Sequence, residues 1–178
     1  MKKPFYLLVT TVLSVFLFLP DVKSDNRESA SVLVNANVLG ALSLENINDV
    51  NFGNISSTTT GEVFLDPQGT ESSFVGVSAT AGHLKISGDG DQSVRVGWPA
   101  TVELINGEGN TMTCTLAVSG NGSENQSTSS DLILEGDYCT LGLNANYFYL
   151  WIGGSLGSLN AMETGSYTGT AIFTVEYN

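Results

Sequence analysis

The chain is poor in the residues that most often carry chemistry. Among its 178 residues are two cysteines, one histidine and six lysines or arginines. A site for zinc built from Cys and His needs more ligands than Cys114, Cys139 and His83 provide. The two cysteines are also too far apart for the Cys-x-x-Cys spacing of a dithiol redox centre. His83 stands alone in Gly82-His-Leu-Lys-Ile-Ser87, with no partner pattern for a general base. Asp89-Gly90-Asp91 lacks the later ligands of a helix-flanked calcium loop and reads as a turn. The carboxylates are scattered, so no acid–base pair stands out.

One stretch does match a catalytic pattern. Gly153-Gly-Ser-Leu-Gly157 fits the Gly-x-Ser-x-Gly of hydrolase nucleophile elbows. That mechanism needs a strand-to-helix turn, and here an apolar β run precedes the stretch while no helical period comes after it. No catalytic residue, metal site or cofactor is therefore expected, and the chain reads as a non-enzyme.

Long apolar runs are absent except at the start. Lys2 and Lys3 precede the apolar run Phe5–Leu19, Pro20 breaks it, and Val22-Lys-Ser24 offers tolerated cleavage positions. That three-part layout predicts a signal peptide over 1–24. The run is short for a membrane span, which needs ~20 apolar residues. The expectation is an exported chain with one domain over 25–178. In such a compartment Cys114 and Cys139 are expected to form a disulfide contributing ~3 kcal/mol.

Positive charge is scarce beyond that segment. Only Arg27, Lys85 and Arg95 come after Ser24, against 17 acidic residues. Nucleic acid and anionic membranes are poor partners for such a surface.

The residues that are plentiful point to an all-β fold. Twenty glycines accompany abundant Val, Thr, Phe and Tyr, and no window carries a sustained helical period. Alternation predicts strands at 30–38, 50–55, 62–65, 74–78, 83–87, 93–98, 101–105, 110–118, 132–135, 138–143 and 147–153. Gly, Asn, Asp, Pro and Ser cluster between most of them, as in Asp66-Pro-Gln-Gly69 and Ser87-Gly-Asp-Gly-Asp91. Many short strands at this spacing predict a sandwich. Ser119–Ser130 has no apolar residue and reads as an exposed, mobile loop.

The last stretch is the most ordered pattern. From Tyr167 every second residue reads Tyr, Gly169, Ala171, Phe173, Val175, Tyr177, opposite a polar face broken only by Ile172. A period of two places these sets on opposite sides of a strand. With Tyr177 penultimate and Gly165 fourteenth from the end, the stretch resembles the C-terminal motif of bacterial chaperone–usher pilins. The chain as a whole resembles a family of secreted bacterial β-domains of unassigned function, grouped with pilus subunits and adhesins. The matching pieces are Val50–Asn54, Leu65–Gly69, Leu84–Gly88, Trp98-Pro99, Ile152–Leu156 and Gly165–Gly169.

The resemblance implies an immunoglobulin-like, pilin-like antiparallel β-sandwich. It implies a structural subunit of a surface fimbria, assembled by donor-strand exchange with a periplasmic chaperone, an outer-membrane usher and other pilin subunits. The protein would cross the periplasm and end on the cell surface or outside the cell. Gly165, Tyr167, Ala171, Phe173, Val175 and Tyr177 would then be partner-binding, and Val32, Val34, Ala36 and Val38 would be the donated anchors. Residues 30–38 could equally be the domain's own first strand. The chain would then be a self-contained secreted binding module for a surface or glycan, with Trp98, Tyr147, Tyr149 and Trp151 as natural contacts.

Overall fold

Two long strands carry the architecture. In chain order the elements are β1 (Ser43–Asn48), β2 (Glu62–Leu65), β3 (Gly82–Ser87), β4 (Ser93–Gly97), β5 (Thr101–Ile105), β6 (Thr111–Asn121), a 3-10 turn (Gln126–Thr128), β7 (Ser130–Asp131), β8 (Cys139–Gly142), β9 (Tyr147–Ser158) and β10 (Thr174–Tyr177). The structure, a computed structural model, describes residues 31–160 and 162–178. Residues 38–178 form one compact unit. The expected signal peptide over 1–24 lies outside the described residues.

All pairing is antiparallel. The larger sheet runs β1-β3-β9-β6-β5, with β2 on β9 beyond the end of β3 and β7 on β6 beyond the end of β5. The smaller sheet runs β10-β4-β8. Its inward residues keep the period of two: Val94 and Val96 on β4, Cys139 and Leu141 on β8. They pack with Ile86, Val118, Leu150 and Ile152 of the larger sheet in one core. Ile86, Leu150, Val94 and Val96 are fully buried. Each such side chain contributes ~1.5–3 kcal/mol on leaving water.

The two sheets differ in strand length. β6 has 11 residues and β9 has 12, whereas β4, β8 and β10 have four or five. The small sheet therefore spans only part of the length of the large one. The remaining inner face holds a second apolar cluster built on Val63, Cys114, Leu156 and Leu159.

The Gly-x-Ser-x-Gly stretch lies within β9, with Ser155 paired to Thr115 and Phe64. Two of its glycines, Gly153 and Gly154, serve packing. A Cβ on Gly153 would collide with the Leu65 carbonyl oxygen, and one on Gly154 would collide with that of Thr115. The chain leaving β2 crosses β9 here, and only a residue without a side chain admits it.

Several expectations are corrected. No strand forms over 31–38, where the side chains are exposed; among the described residues the first strand is β1, whose Ser-Leu-Glu-Asn-Ile-Asn sequence has no clean alternation. Residues 50–55 make only a bridge from Asn51 to Thr80. The expected strand at 74–78 turns away at Phe74, which has φ 56° and is exposed. The expected strand at 132–135 is displaced to the short β7.

Residues 119–130 are not a free loop. β6 continues to Asn121, and Ser119 is fully buried, sharing a 2.8 Å hydrogen bond with Ser129. The Asn121 amide donates to Asn125 O at 2.8 Å, and Gln126 donates to Pro67 O at 2.8 Å. Short polar side chains tie the backbone here where apolar contacts are lacking.

The expected disulfide is also overturned. Cys114 and Cys139 are both free and buried. Cys139 belongs to the core between the sheets, and Cys114 belongs to the second cluster around Leu156. Each thiol behaves as a small apolar residue in its own layer.

Candidate functional site: a trench beside the C-terminal strand

Where the small sheet runs out, the inner face of the large sheet is open. A groove of about 1120 Å³ lies there. Leu84, Val102, Leu104, Leu116, Ile152 and Leu156 are on its floor, contributed by β3, β5, β6 and β9. Leu44, Val50 and Phe52 line one rim, and Gly169, Ala171 and Phe173 line the other. Among the described residues β10 pairs with β4 alone, and β1 pairs with β3 alone. One rim thus carries the free edge of β1, and the other is unpaired chain over residues 169–173; backbone groups unused by a neighbour are what an added strand pairs with.

The C-terminal stretch has the alternation read from its sequence. Ala171, Phe173, Val175 and Tyr177 are half-buried, while Ile172, Thr174 and Glu176 are exposed. It is not one continuous strand. Thr168 bridges Ile105 of β5, residues 169–173 pair with nothing, and pairing resumes at Thr174 with Gly97. Gly165, Tyr167, Ala171 and Phe173 line the trench. Val175 and Tyr177 pack against the core between the sheets instead.

Tyr177 anchors the end of the chain away from the trench. Its hydroxyl accepts from the Asp89 N–H at 2.9 Å and donates to the Gly40 carbonyl at 3.2 Å. The Asp89 carboxylate in turn accepts from the Gly40 N–H. Sequence reading missed Gly40 and Asp89, because nothing local in either residue marks a partner so distant in the chain. Arg95 and Glu176, cross-strand partners on the outer face of β4 and β10, form an ion pair at 2.8 Å. Both are half-exposed, so the pair contributes ~1 kcal/mol or less.

Cys114 lines the trench floor, and burial pushes its thiol up to about 11. Burial also raises Cys139, helped by the charge of Glu135 and opposed by the backbone of Ile133. Both thiols are protonated and poorly reactive at neutral pH.

The aromatic residues split between two places. His83 stacks on Trp151 with ring centroids 5.1 Å apart and planes 9° apart, and Tyr149 joins them with its ring 6.4 Å from that of Trp151. Burial lowers the His83 pKa against an opposing pull from Glu124, so the ring is neutral at pH 7. Lys85 lies over the Tyr147 ring at 4.4 Å. Trp98 is elsewhere: it stacks on Phe173 with centroids 6.0 Å apart.

Val32, Val34 and Val38 are more than four-fifths exposed, in chain without strand pairing. Among the described residues no group of three or more His, Cys, Asp or Glu side chains could hold a metal ion. No described helix is long and apolar enough to cross a membrane.

These features define an all-β protein of two antiparallel sheets, with an apolar trench open beside its C-terminal strand. The chain belongs to the family described as a domain of unknown function, DUF4402, whose model matches residues 42–177. No curated protein matches it.

Proposed function

We propose that the chain is a structural subunit of a surface fibre, exported and assembled by donor-strand exchange along a chaperone–usher type route. On this reading the domain is an immunoglobulin-like, pilin-like sandwich that lacks one strand. A periplasmic chaperone fills the trench first, an outer-membrane usher directs exchange, and a neighbouring subunit fills it finally. The observation that carries the reading is the trench itself, with one rim formed by the C-terminal segment and an apolar floor.

A strand laid along residues 169–173 would satisfy their unused backbone groups and bury alternate side chains against Leu104, Leu116 and Phe173. Each apolar anchor so buried contributes ~1.5–3 kcal/mol. Val32, Val34, Ala36 and Val38 have the required alternation and the required availability. The excess of acidic residues suits a basic chaperone surface.

The test is assembly of the purified protein. Intact chain should form ladders of non-covalent multimers that survive mild detergent, and chain lacking 25–37 should not. A synthetic peptide of residues 30–38 should bind the truncated protein. A monomeric intact chain, together with a truncated form that ignores the peptide, would overturn the proposal.

A further inference from the structure

A second cavity, of about 680 Å³, lies at the outer edge of β6. β6 pairs with β5 over Thr111–Thr115 and with β7 over Ser119–Gly120. The cavity occupies the gap between those pairings, at Leu116–Val118. One wall is apolar and includes Trp98, Leu132 and Leu134; the other carries Gln68, Glu71 and Asp131. We propose that this cavity binds a neutral sugar unit, with Trp98 against the apolar C–H face of the ring and Asp131 and Gln68 holding its hydroxyls.

The polar wall is prebuilt. Asp66 is buried and accepts from the N–H groups of Gln68, Thr70 and Glu71 at 3.0, 2.7 and 2.9 Å, and from the Thr70 hydroxyl at 2.9 Å. Burial disfavours its charge, but those donors outweigh burial and hold its carboxyl below the ordinary value. Asp66 is thereby committed to the turn that presents Gln68 and Glu71. The Gln68 amide donates to Asp131 at 3.0 Å, which orients both side chains before any ligand arrives. Gln126 ties the same turn to its other neighbour by donating to Pro67 O.

The chemistry of this lining narrows the ligand. Three carboxylates and no basic residue line the cavity, so an anion is repelled. A wholly apolar ligand would strip water from Asp131 and Glu71 without replacing it. A lysine or arginine side chain would satisfy the charge but would fill only part of a cavity within the ~300–1,000 Å³ range of small-molecule sites. A sugar presents an apolar face and several donor hydroxyls together, and this lining offers a partner to each. Leu116 lines both this cavity and the trench, and Trp98 stacks on Phe173 of the trench rim, but Gln68 and Asp131 belong to this cavity alone, so the effect of Asp131→Ala on sugar binding is read independently of fibre assembly.

The test titrates the intact protein with the methyl glycosides of glucose, galactose and mannose and with N-acetylglucosamine, monitored by tryptophan fluorescence and calorimetry. One of these should saturate. Asp131→Ala, at an exposed position, should weaken that binding by roughly tenfold or more while leaving the urea midpoint unchanged. Trp98→Phe should weaken it less, since a smaller ring remains. Absence of binding by all four probes at tens of millimolar would overturn the proposal. So would an unchanged affinity in Asp131→Ala, or binding of an arginine-containing peptide in place of every glycoside.

Discussion

The hydroxyl of Tyr177 accepts a hydrogen bond from the backbone N–H of Asp89 at 2.9 Å, joining the C-terminal strand to the turn between β3 and β4. The same oxygen donates to Gly40, so three distant parts of the chain meet at one atom. Tyr177→Phe keeps the ring and its packing but leaves the Asp89 N–H and the Gly40 carbonyl without their partner. The variant should lose about 1–2 kcal/mol, seen as a lower urea midpoint with an unchanged slope. An unchanged midpoint would show that water replaces the phenol without cost.

The crossing of β9 by the chain after Leu65 makes a sharper demand. Gly153→Ala puts a methyl group where the Leu65 carbonyl oxygen lies, and backbone cannot rotate away as a side chain can. The expected loss is ~3 kcal/mol or more, enough to leave little soluble protein. Gly157→Ala, in the same stretch, meets nothing nearby and should be tolerated. Comparing the two by thermal melting separates a packing role for the glycine-rich stretch from a general intolerance of β9.

That contrast also marks how far the sequence could be read. β2 and β5 were legible to the residue, because each combines β-branched or apolar alternation with turn residues at both ends. The half-buried alternation of Ala171, Phe173, Val175 and Tyr177 was legible for the same reason. Residues 31–38 alternate as well as any strand, yet they do not pair: a period of two reports which face would be buried, not whether a partner edge exists. β1 was missed because its burial is slight, with only Leu44 half-buried. The trench floor was partly legible as apolar positions. The trench itself arises from a mismatch between strand lengths on two sheets, which is a property of pairings remote in sequence. The unpaired cysteines were misread because compartment and number say nothing about layer.

Two free buried thiols predict specific solution behaviour. Folded protein should react slowly with a thiol reagent, and two thiols should titrate after denaturation. A reductant should leave the melting temperature unchanged, whereas a bridge spanning this loop would have contributed ~3 kcal/mol. At alkaline pH the sign is set by Cys114. An unfolded thiol ionises near 9.0, while Cys114 holds its proton up to about 11 in the fold. The folded state binds more protons across that window, so stability should fall as pH rises from 9 to 11. Cys114→Ala should flatten that fall.

His83 predicts a pH dependence of the opposite direction. Burial against Trp151 and Tyr149 lowers its pKa below the ordinary 6.5, and the nearby charge of Glu124 only partly offsets this. Above pH 6.5 the ring is neutral in both states and the fold has its full stability. As pH falls below 6.5 the unfolded chain takes up a proton first, so stability falls until the folded ring also titrates. Urea midpoints at about pH 7 and about pH 5 should differ by less in His83→Gln than in the parent chain. Equal differences in the two proteins would place the titrating group elsewhere.

The trench gives the prediction on which the fibre reading stands or falls. Ala171 is half-buried on the rim and unpaired, so a larger side chain there can occupy the groove without displacing a neighbouring strand. Ala171→Arg should therefore fold with a stability within about 1 kcal/mol of the parent. It should also fail to form ladders or to bind the peptide of residues 30–38, because the guanidinium and its stem lie across the path of the incoming strand. Ile172→Arg is the control: residue 172 is exposed and points away from the groove, so assembly should persist. If both variants assemble like the parent, added strand does not lie along this rim. If neither folds, Ala171→Leu, which adds bulk without charge, measures the same obstruction by peptide affinity.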